Sequence, residues 1–93
     1  MKTIAMKLVS GEEIIARHIG NPTAFQGISV SHARTIGLQQ GRDGEYGIGM
    51  MDYVLSNKDC TIEIADHSII ASYSPAPEVE RAYLSNTSGI QLA

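Results

Sequence analysis

The sequence predicts a mainly β fold: a small, strongly bent antiparallel barrel carrying one short C-terminal helix. Three observations predict it. Apolar residues recur with a period of two in several short segments, the spacing of strands with one face better buried. Turn-forming clusters containing glycine, proline or asparagine separate those segments. A helical pattern appears only after Pro75. Five or six short, curved strands and one helix in 93 residues suit a barrel better than a sandwich, whose roughly seven strands usually take about 100 residues.

Each element follows from its residues. Ile4, Met6 and Leu8 alternate with Ala5, Lys7 and Val9 to give a first strand, and Ser10-Gly11 is turn chemistry. Glu13 to Ile19 forms a second strand on which Glu13, Ile15, Arg17 and Ile19 share one face and Ile14, Ala16 and His18 the other. Neither face is purely apolar, as expected of a bent strand serving two surfaces. Gly20-Asn21-Pro22 breaks the pattern. Extended structure resumes at Gly27, with Ile28 and Val30 inward and Ser29 and Ser31 outward. That alternation would carry His32 and Arg34 onto the apolar face, so a bulge near residues 32–34 is favoured over two polar groups on a half-buried surface.

Gln39 to Glu45 is a loop with Asp43-Gly44 as its hairpin signal. Tyr46 to Leu55 reads as a strand whose Gly47 and Gly49 admit a close approach. Ser56 to Asp59 turns, and Thr61 to Ile64 alternates cleanly. Asp66-His67 interrupts before a last strand, Ser68 to Tyr73. Pro75 and Pro77 then open a helix, Glu78 and Glu80 match its positive end, and Gly89 suits its termination. Val79, Ala82, Tyr83 and Asn86 mark one face of that helix, a stripe short enough that docking onto the sheet must hold it. The chain reads as a single domain over residues 1–93, with the barrel at about 3–74 and the helix at about 76–88.

Composition narrows the function. The formal charge of −3 and the dispersed Lys and Arg residues supply no broad basic field for nucleic acid. Cys60 is the single cysteine, so no internal disulfide framework exists. No apolar run reaches a membrane span, and Lys7 interrupts the N-terminal run too early for a signal-peptide core, which places the protein in the cytoplasm as an expectation. Catalytic signatures are absent: Gly47-Ile48-Gly49 lacks the third glycine of a dinucleotide loop, and Glu12 and Glu13 point to opposite faces of a strand. His18, His32 and His67 stand at no metal-ligand spacing to one another or to Cys60. The expectation is a non-enzymatic protein that uses no metal or cofactor.

Two motifs carry a resemblance. Leu8-x-x-Gly11-x-x-Ile14-x-Ala16 resembles the opening of the Sm-like (Lsm) family. Ile64-Ala65-Asp66-His67-Ser68-Ile69 resembles the I-R-G-N-x-I second motif of that family, and also the K-H-A-I stretch of its bacterial host-factor branch. The likeness runs over about residues 4–75 and is greatest to small Sm-like proteins of tailed phages and marine metagenomes, which lack an N-terminal helix and end in a segment like Pro75 to Tyr83. It implies a five-stranded bent barrel and a homo-oligomeric ring of five to seven subunits, closed by pairing the fourth strand of one subunit with the fifth of the next.

The resemblance also implies single-stranded RNA as ligand, held at the pore by the Asp66-His67 turn. In that reading His67 contacts bases, Asn21 and Phe25 hold or stack a base, and Arg34 and Arg42 touch phosphates. Phe25 also reads as a plug for one end of the barrel, and the two arginines as solvated loop charges flanking Gly41. The chain departs from the family where Ala65 and Asp66 replace the Arg-Gly of the second motif, where the first motif's D-x-h-h-N is missing, and where Ser56 to Cys60 interrupts the fourth strand. Asp66 repeated around a pore would repel phosphate. A homo-oligomeric adaptor ring that binds a protein and no nucleic acid therefore stands as the alternative.

Overall fold

The computed structural model describes residues 2–22 and 26–88. They fold as a bent antiparallel sheet with one helix packed against it. The strands are β1 (Thr3–Leu8), β2 (Glu13–Gly20), β3 (Gly27–Gln40), β4 (Tyr46–Asp52), β5 (Thr61–Ala65) and β6 (Ile69–Tyr73). A 3₁₀ turn, Asp66–Ser68, joins β5 to β6, and helix α1 spans Pro77–Ser88. The strand order is β4-β3-β2-β1-β6, with β5 also paired to β3.

The turn between β1 and β2 depends on Gly11, whose φ of +107° is a conformation side chains resist. Its amide donates to the Leu8 carbonyl at 2.9 Å. From there Ile4 pairs with Ala16 and Met6 with Ile14, which points both pairs to one side of the sheet. Met6, Leu8, Ile14, Ala16, Ile28, Val30, Ala33 and Ile64 form the core on that side. Burying each of the Met, Leu, Ile and Val side chains among them stabilises the fold by roughly 1.5–3 kcal/mol.

The bulge expected near residues 32–34 is present. Ile15 pairs with Arg34 and Arg17 with Ser31, so one residue of β2 opposes two of β3. His32 takes a φ of 54°, and the extra residue re-phases the strand. Ala33 thereby joins the core, and Arg34 turns to the opposite face.

That opposite face is not open to solvent, as the outward reading of Ser29 and Ser31 implied; both serines are buried. Helix α1 lies across it. Tyr83 is fully buried and its hydroxyl donates to the His32 carbonyl at 2.7 Å. Thr3 donates from its hydroxyl to Glu80. The short stripe on α1 thus docks as its length required, with Pro77 as the first helical residue. Gly89 lies outside the described residues.

Two boundaries differ from the sequence pattern. The strand predicted from Tyr46 to Leu55 ends at Asp52, and the interruption predicted at Ser56 to Cys60 widens to residues 53–60. The cause is the bulge. β4 pairs with Arg34–Gln40 and β5 with Gly27–Ser31, so the segment between them detours around the irregular stretch of β3. Beyond Ile36 the long β3 keeps only β4 as a strand partner among the described residues, and the pair projects as a ribbon from a molecule of 48 × 27 × 26 Å. At Gly49 the expected close approach is made by the Gln39 side chain, which would lie 3.2 Å from a Cβ there.

Candidate functional site

Two of the residues proposed for ligand contact meet in space. Asn21, in the β2–β3 loop, and Asp66, at the start of the 3₁₀ turn, line one cleft of about 350 Å³. Met6, Ile28, Ile69 and Ile70 supply its apolar wall. The two loops are fastened together: the Asp66 amide donates to the Gln26 carbonyl at 2.9 Å. Asn21 is oriented from both sides, donating through Nδ2 to the Gly27 carbonyl at 3.2 Å while its Oδ1 lies 3.1 Å from His18 Nε2. A carboxamide held this way presents fixed donor and acceptor positions at low entropic cost.

His67 follows Asp66 within the turn and is exposed beside the cleft. Phe25 lies outside the described residues. Arg42 is at the tip of the β3–β4 ribbon, exposed, and away from Asn21 and Asp66.

Arg34 is placed differently from the sequence reading. It does not flank the Gly41 loop as a solvated charge; it sits within β3 and is only 2% exposed. Its Nε donates to Asn86 Oδ1 and its Nη2 to Asp59 Oδ1, each at 2.8 Å, and its Nη1 donates to the Lys58 carbonyl at 2.9 Å. Asp52 Oδ1 lies 3.4 Å from Nε. The guanidinium thus ties α1, the 53–60 segment and the end of β4 to the bulge. The re-phasing at His32 is what puts it there, since without the extra residue Arg34 would face the core side.

The same cluster shifts its neighbours' titration. The hydrogen bond from Arg34 holds the Asp59 carboxyl below the usual carboxylate range. Burial, with Arg17 and Arg34 nearby, holds His32 below the usual imidazole value, outweighing the opposing pull of Asp59. Burial likewise raises the Tyr83 phenol.

Sequence reading missed a second polar pair. Tyr73 of β6 donates its hydroxyl to Glu13 of β2, and burial with that hydrogen bond pushes the phenol up to about 12. The signal was present in part: Glu13 shares a face with Ile15, and Tyr73 ends β6, but only the sheet order makes them neighbours. Among the described residues no group of three or more His, Cys, Asp or Glu side chains is arranged to hold a metal ion. No described helix is long and apolar enough to cross a membrane.

Comparison with models of known protein families and with curated proteins finds no match for this chain.

Proposed function

We propose that the chain is a non-enzymatic Sm-like subunit that assembles into a homo-oligomeric ring and holds single-stranded RNA at the cleft between Asn21 and Asp66. The observation that carries the assembly is the unpaired edges of β5 and β6, which with β4 are the described strands paired on one side only. Among the described residues β5 pairs only with β3, and β6 only with β1. On β6, Ile70 is 63% exposed at a register shift, and beside β5 a cleft of about 480 Å³ reaches Tyr53, Ile62 and Ile64. Unpaired apolar edges of this kind invite a strand from another chain. Pairing β5 of one copy with β6 of the next would satisfy both and shield that apolar surface.

The ligand half of the proposal rests on the Asn21 carboxamide and Asp66 in one cleft, with exposed His67 next to Asp66 in the turn. Bases offer hydrogen-bonding edges and flat faces to such groups, and the apolar wall at Ile69 and Ile70 suits an unstacked base. Arg34 takes no part, because its donors are engaged inside the protein.

The second reading is a ring that binds a protein and no nucleic acid. Asp66 in the cleft, the engagement of Arg34 and the net charge of −3 favour it.

Native mass spectrometry and sedimentation test the ring, with a stable monomer at low concentration overturning it. Salt titrations with fluorescent oligo-U, oligo-A and duplex DNA test the ligand. RNA binding that weakens with salt and in His67→Ala, and tightens in Asp66→Lys, supports the RNA reading. No binding at about 10 µM protein and about 50 mM salt leaves the protein-binding ring.

A further inference from the structure

A second surface, on the face of the sheet that carries α1, goes beyond that reading. Past Ile36, β3 and β4 form a two-stranded ribbon, an arrangement only marginally stable in water by itself. Pairing of Ile36 with Met50 and Leu38 with Ile48 gathers apolar side chains on one of its faces. Leu38 is nonetheless 79% exposed. Between this face and the start of α1 runs a groove of about 330 Å³, lined by Ile36, Leu38, Ile48, Val79, Tyr73 and Glu13.

Charge distinguishes this groove from a bare apolar patch. Glu13 stands in its wall, and Glu78 and Glu80 flank Val79 on the first turn of α1. Among the described residues no Lys, Arg or His nitrogen lies within 4.0 Å of these three carboxylates. Lys7, the ladder partner of Glu13, donates its ammonium to the Gly11 carbonyl at 2.7 Å. A second copy of this chain would bring the same acidic rim to a symmetric contact, where like charges oppose. Anionic lipids and nucleic acid are disfavoured in the same way.

We propose that the groove docks a cationic segment of another protein, with an aliphatic side chain seated among Ile36, Leu38, Ile48 and Val79 and flanking Lys or Arg side chains meeting Glu13 and Glu78. Its chemistry is that of an apolar anchor inside a charged rim, in which the anchor supplies affinity and the charges supply orientation.

The test uses a blocked peptide of alternating Lys and Leu, with its Glu-Leu counterpart as control, added to the ¹⁵N-labelled full chain. Saturable amide shifts concentrated at Glu13, Ile36, Leu38, Ile48 and Val79 are expected with the Lys peptide alone. Leu38→Asp should weaken binding about tenfold. Glu13→Gln should weaken it about threefold and flatten its salt dependence. Both variants alter partly exposed positions, and circular dichroism verifies their fold. Four results would overturn the proposal: no saturation, equal binding of the Glu peptide, shifts centred on Asp66, or Leu38-dependent binding to phosphatidylserine vesicles. A fall in subunit number in Leu38→Asp would overturn it too, marking the face as a contact between copies. Failure of RNA binding leaves it untouched, because the two surfaces share no residue.

Discussion

Arg34 Nη2 donates to Asp59 Oδ1 at 2.8 Å, joining a 2%-exposed side chain in the longest strand to the segment that replaces the middle of the outer strand. A buried guanidinium is tolerated only when its donors are met, and here helix, loop and strand end all contribute. The bond fixes where the chain leaves β3's edge and where it returns as β5.

Arg34→Ala should therefore be the most damaging polar substitution in the fold. It leaves Asp52 and Asp59 without their shared cation and deprives Asn86 and the Lys58 carbonyl of a donor; a loss of about 2–4 kcal/mol is expected. Asp59→Asn should cost far less, because that side chain is largely exposed to solvent. Urea unfolding followed by circular dichroism measures both, and equal costs would show that Arg34 contributes by volume alone.

His32 tests the bulge. Its φ of 54° is open to glycine and asparagine but strained for a β-branched side chain. His32→Val should destabilise by about 1–3 kcal/mol, and His32→Gly should stay within about 1 kcal/mol of the parent. A tolerated valine would mean that the bulge sits elsewhere in β3.

The same residue sets a pH dependence. Its folded pKa lies below its ordinary value of 6.5, chiefly through burial. Between those two values the unfolded chain binds more protons than the folded one, so stability falls as pH drops from near 6.5 toward the folded pKa and then levels. Asp59, depressed by its hydrogen bond from Arg34, adds a separate loss at lower pH, as acid reaches its folded pKa. In His32→Asn the decline between about pH 7.5 and about pH 5.5 should shrink, read from urea midpoints at both values. An unchanged decline would assign it to other groups.

Tyr83 measures how firmly α1 is held. Tyr83→Phe removes the hydroxyl that reaches the His32 carbonyl and should cost about 1 kcal/mol. Tyr83→Ala empties a fully buried site and should cost about 3–5 kcal/mol, with loss of helical ellipticity. If ellipticity survived that change, the other contacts of α1 would be sufficient to dock it.

Sequence by itself determined the local elements. Period-two alternation at Ile4, Met6 and Leu8, the Gly11 turn, the break at Asn21-Pro22, the Asp66-His67 interruption and the proline-initiated helix all arise from neighbours in the chain, and each appears where its residues place it. Even the bulge was legible, because continued alternation would have driven His32 and Arg34 onto the core face. The role of Arg34 was not. An arginine reads alike in solvent or in a cage, and only long-range packing brings Asn86, Asp59 and the Lys58 carbonyl around it. The meeting of Asn21 with Asp66, the pairing of Tyr73 with Glu13 and the unpaired edges of β5 and β6 were likewise decisions of the tertiary structure. Each joins residues distant in the chain, and strand order, which decides such contacts, is set by collective burial of the whole core.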